Sequence, residues 1–221
     1  MKKVIYTSIF GGYDDLQEPS HIPDGWDLIC FTDSKIKSNT WNVITSKPID
    51  NNPAKSSRFR KILAHRFLPE YDISLWVDGN FLIRGNVNKL LPCLDKSNFV
   101  TYDHDDPKIS DRRCCIYSEA RACISLKKDD SRIIEMQMEK YKKDNYPPLN
   151  GLLSSGIILR KHNELDVKKT MEYWWNEVKS QSKRDQLSFN YSAWKNNFDF
   201  LYFQGDIRNN KYFRHTGRHK G

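Results

Sequence analysis

The apolar run Leu75-Trp76-Val77 ends in Asp78-Gly79-Asn80. A strand that closes on an acid and an amide, one residue apart, presents two oxygen ligands at its carboxyl end. Ligands so spaced can share one hard divalent cation, whose remaining ligands are water and substrate phosphate. Asp-Gly-Asn is equally good β-turn chemistry. Upstream, Arg58-Phe59-Arg60-Lys61-Ile62-Leu63-Ala64-His65-Arg66-Phe67 is strongly basic. Its cationic face can meet the phosphates such a cation would hold, or lie solvated.

Three further groups belong with these. Gly11-Gly12 follows the first apolar run, so backbone can approach a ligand closely there, and Tyr13 can stack on a base. Ser154-Ser155-Gly156 opens a later apolar run, where the glycine leaves room for a sugar. Ser182-Lys183-Arg184-Asp185-Gln186 places a polar cluster at a helix start, where Asp185 also suits an N-terminal cap. The tail 213–220 is short, basic and carries His215 and His219; a disordered end reads equally well. There is no G-x-G-x-x-G, no P-loop, no H-E-x-x-H and no nucleophile-elbow pattern.

These residues need elements to position them. β-Branched and aromatic runs predict strands at 4–10, 27–32, 41–45, 73–77, 99–102, 156–160 and 198–203, with 81–83 extended. Phe59, Ile62, Leu63 and Phe67 predict a helix over 55–68, stopped by Pro69. Further helices are expected at 111–126, 131–143, 167–178 and 186–194. Strands alternating with helices predict an α/β fold with a mostly parallel sheet, and such sheets bind ligands at the carboxyl ends of their strands. No repeat, low-complexity tract or linker divides the chain, so residues 1–221 read as a single domain.

Composition sets the outer limits. The 221 residues suffice for one α/β domain with its own core. A net charge of +8 favours polyanionic partners: nucleic acid, anionic membrane or phosphorylated small molecules. No run approaches the ~18 apolar residues of a membrane span. The basic, then apolar N-terminus is cut short by Gly11, Gly12 and Asp14-Asp15, which suits a strand rather than a signal peptide. Five cysteines, with no C-x-x-C, point to a reduced, cytoplasmic chain without structural zinc.

Several strings then resemble a known family: Tyr6-Thr-Ser-Ile-Phe-Gly-Gly-Tyr-Asp14, Ile29-Cys-Phe-Thr-Asp33, Leu68-Pro-Glu-Tyr-Asp-Ile-Ser-Leu-Trp-Val-Asp-Gly-Asn80, Arg113-Cys-Cys-Ile-Tyr-Ser-Glu-Ala120, Trp174-Trp175 and Ser182-Lys-Arg-Asp-Gln-Leu-Ser-Phe189. They resemble the glycosyltransferase-like family first catalogued as a domain of unknown function, which includes plant proteins linked to seed mucilage and pollen turgor. The resemblance implies a GT-A-type fold similar to glycosyltransferase family 8. There an Asp-x-Asp motif holds manganese, and Asp78 and Asn80 stand in its place, with an amide for the second acid. Lys61 stands 17 residues before Asp78, at the place of a family-8 arginine. Asp185-Gln186 matches the Asp-Gln pair near the anomeric carbon, Ser154-Ser155-Gly156 a strand start, and His215 to Lys220 a C-terminal motif.

What the resemblance implies is transfer of a sugar from a nucleotide-diphosphate donor, a UDP-sugar, to a glycan or lipid-linked acceptor in cell-surface polysaccharide synthesis, with anomeric retention. Asp78, Asn80 and His215 would hold Mn²⁺ or Mg²⁺. Arg58, Lys61 and Lys220 would add charge at the diphosphate. Thr7, Gly11, Gly12 and Tyr13 would hold the nucleotide. Asp185 and Gln186 would act at the anomeric carbon, near Ser154, Ser155, Gly156 and Arg184. His104 and Glu119 are acceptor-side candidates. Residues 205–221 would close over the donor site. Lysines at 127–128, 140–143 and 168–169 would suit peripheral contact with an anionic inner membrane face, though solubility accounts for them too. Two rivals stand: a non-catalytic sugar or nucleotide binder on the same fold, and a basic nucleic-acid-binding protein, for which no motif is present.

Overall fold

Strand β1 (Lys3–Ile9) is buried from Val4 to Ile9, as a central strand covered on both faces must be. A computed structural model, describing residues 1–217, builds a seven-stranded sheet around it. The strands are β2 (Trp26–Thr32), β3 (Asn42–Thr45), β4 (Ile73–Val77), β6 (Phe99–Asp103), β7 (Leu153–Arg160) and β8 (Leu201–Phe203), in the order β3-β2-β1-β4-β7-β6-β8. Pairings β1–β2, β1–β4, β2–β3 and β6–β8 are parallel; only β7 runs against its neighbours. The expected α/β fold with a mostly parallel sheet is therefore present. A separate two-stranded sheet pairs β5 (Phe81–Ile83) with β9 (Phe213–His215).

Alternation along β1 splits the core into two layers. Val4, Tyr6 and Phe10 face one layer, with Trp76, Ile158, Met171, Trp174 and Phe189. This layer lies under α1 (Pro53–Ile62), α5 (Leu165–Ser180) and α6 (Phe189–Lys195). Ile5 and Ile9 face the other, with Leu75, Val77, Leu159 and the 3₁₀ segment Val87–Asp95. A third cluster joins α3 (Ile116–Ser125) to α4 (Ser131–Lys143) through Ile116, Cys123, Ile134 and Tyr141. No helix of the described residues is long and apolar enough to cross a membrane.

Five segments depart from expectation. The helix over 55–68 is two: α1 ends where Leu63 leaves helical geometry, and α2 (Ala64–Phe67) follows. The Lys61 carbonyl at that break accepts from the Tyr6 hydroxyl at 2.7 Å and from buried Arg160. The helix over 111–126 starts only at Ile116, because Arg113 is held back by His104 through its backbone amide at 3.2 Å. Strand β7 begins three residues early, at Leu153. Asp185–Leu187 forms a 3₁₀ turn before α6, so Asp185 belongs to the turn rather than to a helix cap. The tail, which also read as a disordered end, forms β9 over 213–215; Lys220 lies outside the described residues.

Candidate functional site

The parallel strands β1 and β4 end side by side, which brings the Gly11-Gly12 loop next to Asp78-Gly79-Asn80. Both glycines have positive φ, +67° and +63°, which L side chains adopt at a cost. The Gly11 amide donates to both carboxylate oxygens of Asp33 at 3.0 and 2.9 Å, so the end of β2 anchors this loop. Gly11 also packs closely on Pro53, at the start of α1: a Cβ there would stand 2.8 Å from the proline ring.

Between this loop and α1 lies a cavity of about 300 Å³. Tyr13, Arg58, Asp78 and Arg184, all anticipated from sequence, line it. So do Ser8, Phe10, Asp14, Ser57, Lys128 and Lys183, for which the sequence suggested no role in holding a donor. Ser8 and Ser57 meet across the cavity wall, hydroxyl to hydroxyl, at 2.9 Å. Lys183 and the neighbouring Ser182 are tied to the α3–α4 connection by Asp129, which accepts from the Ser182 hydroxyl at 2.7 Å and the Lys183 amide at 2.9 Å. That tie spans more than fifty residues of chain, which is why no local signal marks Lys128 and Lys183 as partners.

Arg58, Asp78 and Arg184 also line a second, more polar cavity of about 170 Å³. Its other walls include Asn80, His104, Ser154, Ser155, Gly156, Asp185, Gln186, Arg208 and His215. Beneath both lies Lys61, 2% exposed. Its ammonium stands 2.7 Å from Asp185 Oδ2, 2.9 Å from Ser155 Oγ and 3.4 Å from Asp78 Oδ1. The Ser155 hydroxyl donates to Asp185 at 3.0 Å, and Arg58 approaches Asp185 at 3.6 Å. Burial alone would raise the Asp185 carboxyl, but Lys61 and Arg58 hold it well below the usual carboxylate range. Burial opposes charge on Arg184 too, yet Asp185 beside it raises its guanidinium above the ordinary value. Trp76 Nε1 donates to Asp78 Oδ1 at 2.7 Å and orients that carboxylate. Gln186 donates to the Leu153 carbonyl at 2.9 Å, fixing its amide at the mouth of β7.

The Asn80 amide nitrogen lies 3.0 Å from His215 Nε2, and the Thr216 amide and hydroxyl donate to the Asn80 carbonyl at 2.8 and 2.9 Å. The β5–β9 pairing thus places the C-terminal segment directly on the Asp-Gly-Asn turn. Asp78, Asn80 and His215 line one cavity, as a shared cation would require. Among the described residues no group of three or more His, Cys, Asp or Glu could hold a metal ion. One carboxylate, one amide and one imidazole fit a divalent ion only with phosphate oxygens and water completing its shell.

Some anticipated residues lie elsewhere. Thr7 is 2% exposed and lines neither cavity; β1 reaches the first cavity only at its carboxyl end, through Ser8 and Ile9. Glu119 is fully buried, paired with Arg113 Nε and accepting from Cys123 at 3.3 Å, so it lines neither cavity. Gly12 is exposed and serves the loop's turn rather than a cavity wall. His104 does line the second cavity, but both ring nitrogens face Arg113, at 3.2 and 2.9 Å. Burial, and then Arg113, lowers its pKa. Gly156 lines the second cavity and packs against Phe81 as well: an added Cβ would stand 3.0 Å from its ring.

The chain is 24% identical over 216 residues to the "Probable hexosyltransferase MUCI70" of Arabidopsis thaliana, a match that covers 84% of this chain and 36% of that protein's length. Among solved structures it is similar to mouse xyloside xylosyltransferase 1 in its apo form, at TM-score 0.48 and 11% identity, over 93% of this chain and 85% of that one. The apo WbbM bifunctional glycosyltransferase is similar at TM-score 0.48 and 11% identity, over 90% of this chain and 38% of that one. The family model of the TOD1/MUCI70 glycosyltransferase-like domain matches residues 31–215, and the chain belongs to that family.

Proposed function

We propose that the chain transfers a sugar from a nucleotide-diphosphate donor, a UDP-sugar, to a glycan or lipid-linked acceptor, on a GT-A-type fold and with retention of anomeric configuration. One observation carries this reading: two cavities meet at Asp78, Arg58 and Arg184, and a buried charge cluster underlies the junction. The first cavity suits a nucleotide. Tyr13 and Phe10 offer aromatic surface for a base, the Ser8 and Ser57 hydroxyls can hydrogen-bond it, and Arg58, Lys128, Lys183 and Arg184 supply charge for two phosphates.

Asp78, Asn80 and His215 would hold Mn²⁺ or Mg²⁺, which when bound supplies Lewis-acid stabilisation of the leaving diphosphate. The chain's own groups do the rest. Arg58 and Arg184, which line both cavities, would meet the negative charge that develops as the donor's sugar–phosphate bond breaks. Asp185 keeps a fixed negative charge beside the second cavity, with its oxygens engaged by Lys61, Ser155 and Arg58. So engaged, it is better suited to stabilise a positive anomeric centre than to attack it, which favours a front-face route. Gln186 and Ser154 line the space where the transferred sugar and the acceptor hydroxyl would meet.

The test is a thermal-shift series with nucleoside diphosphates and sugar nucleotides, with and without Mn²⁺, followed by product detection across a donor panel. A ligand that binds only the native state raises Tm by mass action. Selective stabilisation by one diphosphate, with turnover of its sugar form, supports the reading. Stabilisation without any product would assign a non-catalytic binder instead.

A further inference from the structure

Cys114 and Cys115 are neighbouring thiols that the proposed transfer does not use. Their sulfurs lie 3.7 Å apart. Cys115 caps the N-terminus of α3 in a reciprocal box with Ser118, whose hydroxyl accepts from the Cys115 amide at 3.2 Å. Cys114 is half-buried and Cys115 is 4% exposed. Burial works against a Cys115 thiolate, but hydrogen bonds from Ser118 outweigh it and lower the pKa. Cys30 and Cys123 are the reverse case: burial pushes them up to about 12 and about 11.

The pair is mechanically joined to the second cavity. Arg113, next in the chain, holds His104 through its backbone amide and its guanidinium, and is itself fixed by buried Glu119. His104 lines the cavity. Any rearrangement of the 114–115 backbone therefore reaches a cavity wall through two residues.

We propose that Cys114 and Cys115 form a reversible redox site, in which mild oxidation by hydrogen peroxide closes a vicinal disulfide, shifts Arg113 and thereby displaces His104 from the wall of the second cavity. Cys114, the more accessible thiol, reacts first: its thiolate attacks peroxide, the O–O bond breaks, and hydroxide leaves and is protonated to water. Cys115 then attacks the Cys114 sulfenic sulfur, the S–O bond breaks, and a second water leaves with the remaining thiol proton. Two thiols lose two electrons and two protons, and one peroxide becomes two waters. Adjacent Cα atoms stand about 3.8 Å apart, below the roughly 4.4–6.8 Å of ordinary disulfides. The ring is strained and readily reduced, as regulatory rather than structural disulfides are.

The disulfide itself does not depend on the transferase reading; only its effect on turnover rests on that reading. The test treats the reduced full chain with stoichiometric peroxide and reads three quantities. Intact mass should fall by two hydrogens, localised to the tryptic peptide 114–121, and return with dithiothreitol. Amide exchange over residues 104–113 should accelerate about tenfold as that segment loosens. Turnover, where a donor is known, should drop at least threefold and recover on reduction. C114S and C115S should show none of these changes; serine at 115 keeps a good helix cap, so that variant should fold. Oxygen addition in place of hydrogen loss, or a closed ring with unchanged exchange over 104–113, overturns the proposal. If no donor is turned over at all, mass and exchange still decide it.

Discussion

Lys61 Nζ lies 2.7 Å from Asp185 Oδ2, with the two side chains only 2% and 3% exposed. The residues come from the last turn of α1 and from a 3₁₀ turn far along the chain. Their pairing locks α1 to the start of β7 through Ser155, which bonds both. The two cavities share walls above this lock. A buried pair of this kind stabilises little relative to an apolar replacement, but removing one partner strands a charge.

K61M and D185N should therefore each destabilise strongly, by about 3–5 kcal/mol. The double variant should be less destabilised than the sum of the two. Urea unfolding of the four proteins closes this cycle; additive losses would refute coupling.

The same pair has a pH signature. The folded Asp185 carboxyl is depressed, so its contribution is fully present above the unfolded value near 3.9 and is lost only as pH falls below it. Acid unfolding in D185N should lose part of its steepness below about pH 4.

His162 predicts a different window. Burial pushes it down to about 4, with Nε2 donating to the Leu68 carbonyl at 2.8 Å. The unfolded chain takes up the proton near 6.5, so stability is complete above that value and falls as pH drops from about 6.5 to about 4, by roughly 3 kcal/mol. Urea midpoints of the wild type should fall across this range. H162Q, which does not titrate there, should flatten the slope.

Asp78 is the anticipated residue whose charge should matter to activity more than to the fold, because its side chain is 30% exposed and an asparagine there keeps an acceptor for Trp76 Nε1. D78N should lose about 10²-fold or more in turnover while far-UV circular dichroism and Tm stay near wild type. Undiminished turnover with Mn²⁺ present would remove Asp78 from the metal site.

Gly85 governs the C-terminal segment. A Cβ there would collide with the Lys211 carbonyl oxygen and stand 3.3 Å from Tyr212 Cα. G85A should destabilise by on the order of 1–3 kcal/mol and separate β9 from β5. Exchange over 211–217 should rise while that of β1 is unchanged, and ligand-induced stabilisation should shrink with it.

The sequence by itself determined the strand-helix alternation, because period and turn chemistry are local: β1, β2, β4, β6 and α4 fall close to where their patterns put them. It also marked Asp78, Tyr13, Arg184 and Gln186, which follow strand ends or sit in turns, and Arg58 on the basic helix α1, all of which line the cavities. Only the tertiary structure decided which side chains of β1 line the cavity: Ser8 and Ile9 at the strand's end reach it, while Thr7 is buried away from it. Only it showed Glu119 turned inward onto Arg113, and Lys128 and Lys183 brought to one wall by Asp129. The same holds for β9, whose Phe213, Arg214 and His215 form a strand because β5 offers an unpaired edge beside the Asp-Gly-Asn turn. The Lys128–Lys183 wall and β9 depend on partners dozens of residues away, and pairing at that range is set by sheet order and packing rather than by any local pattern.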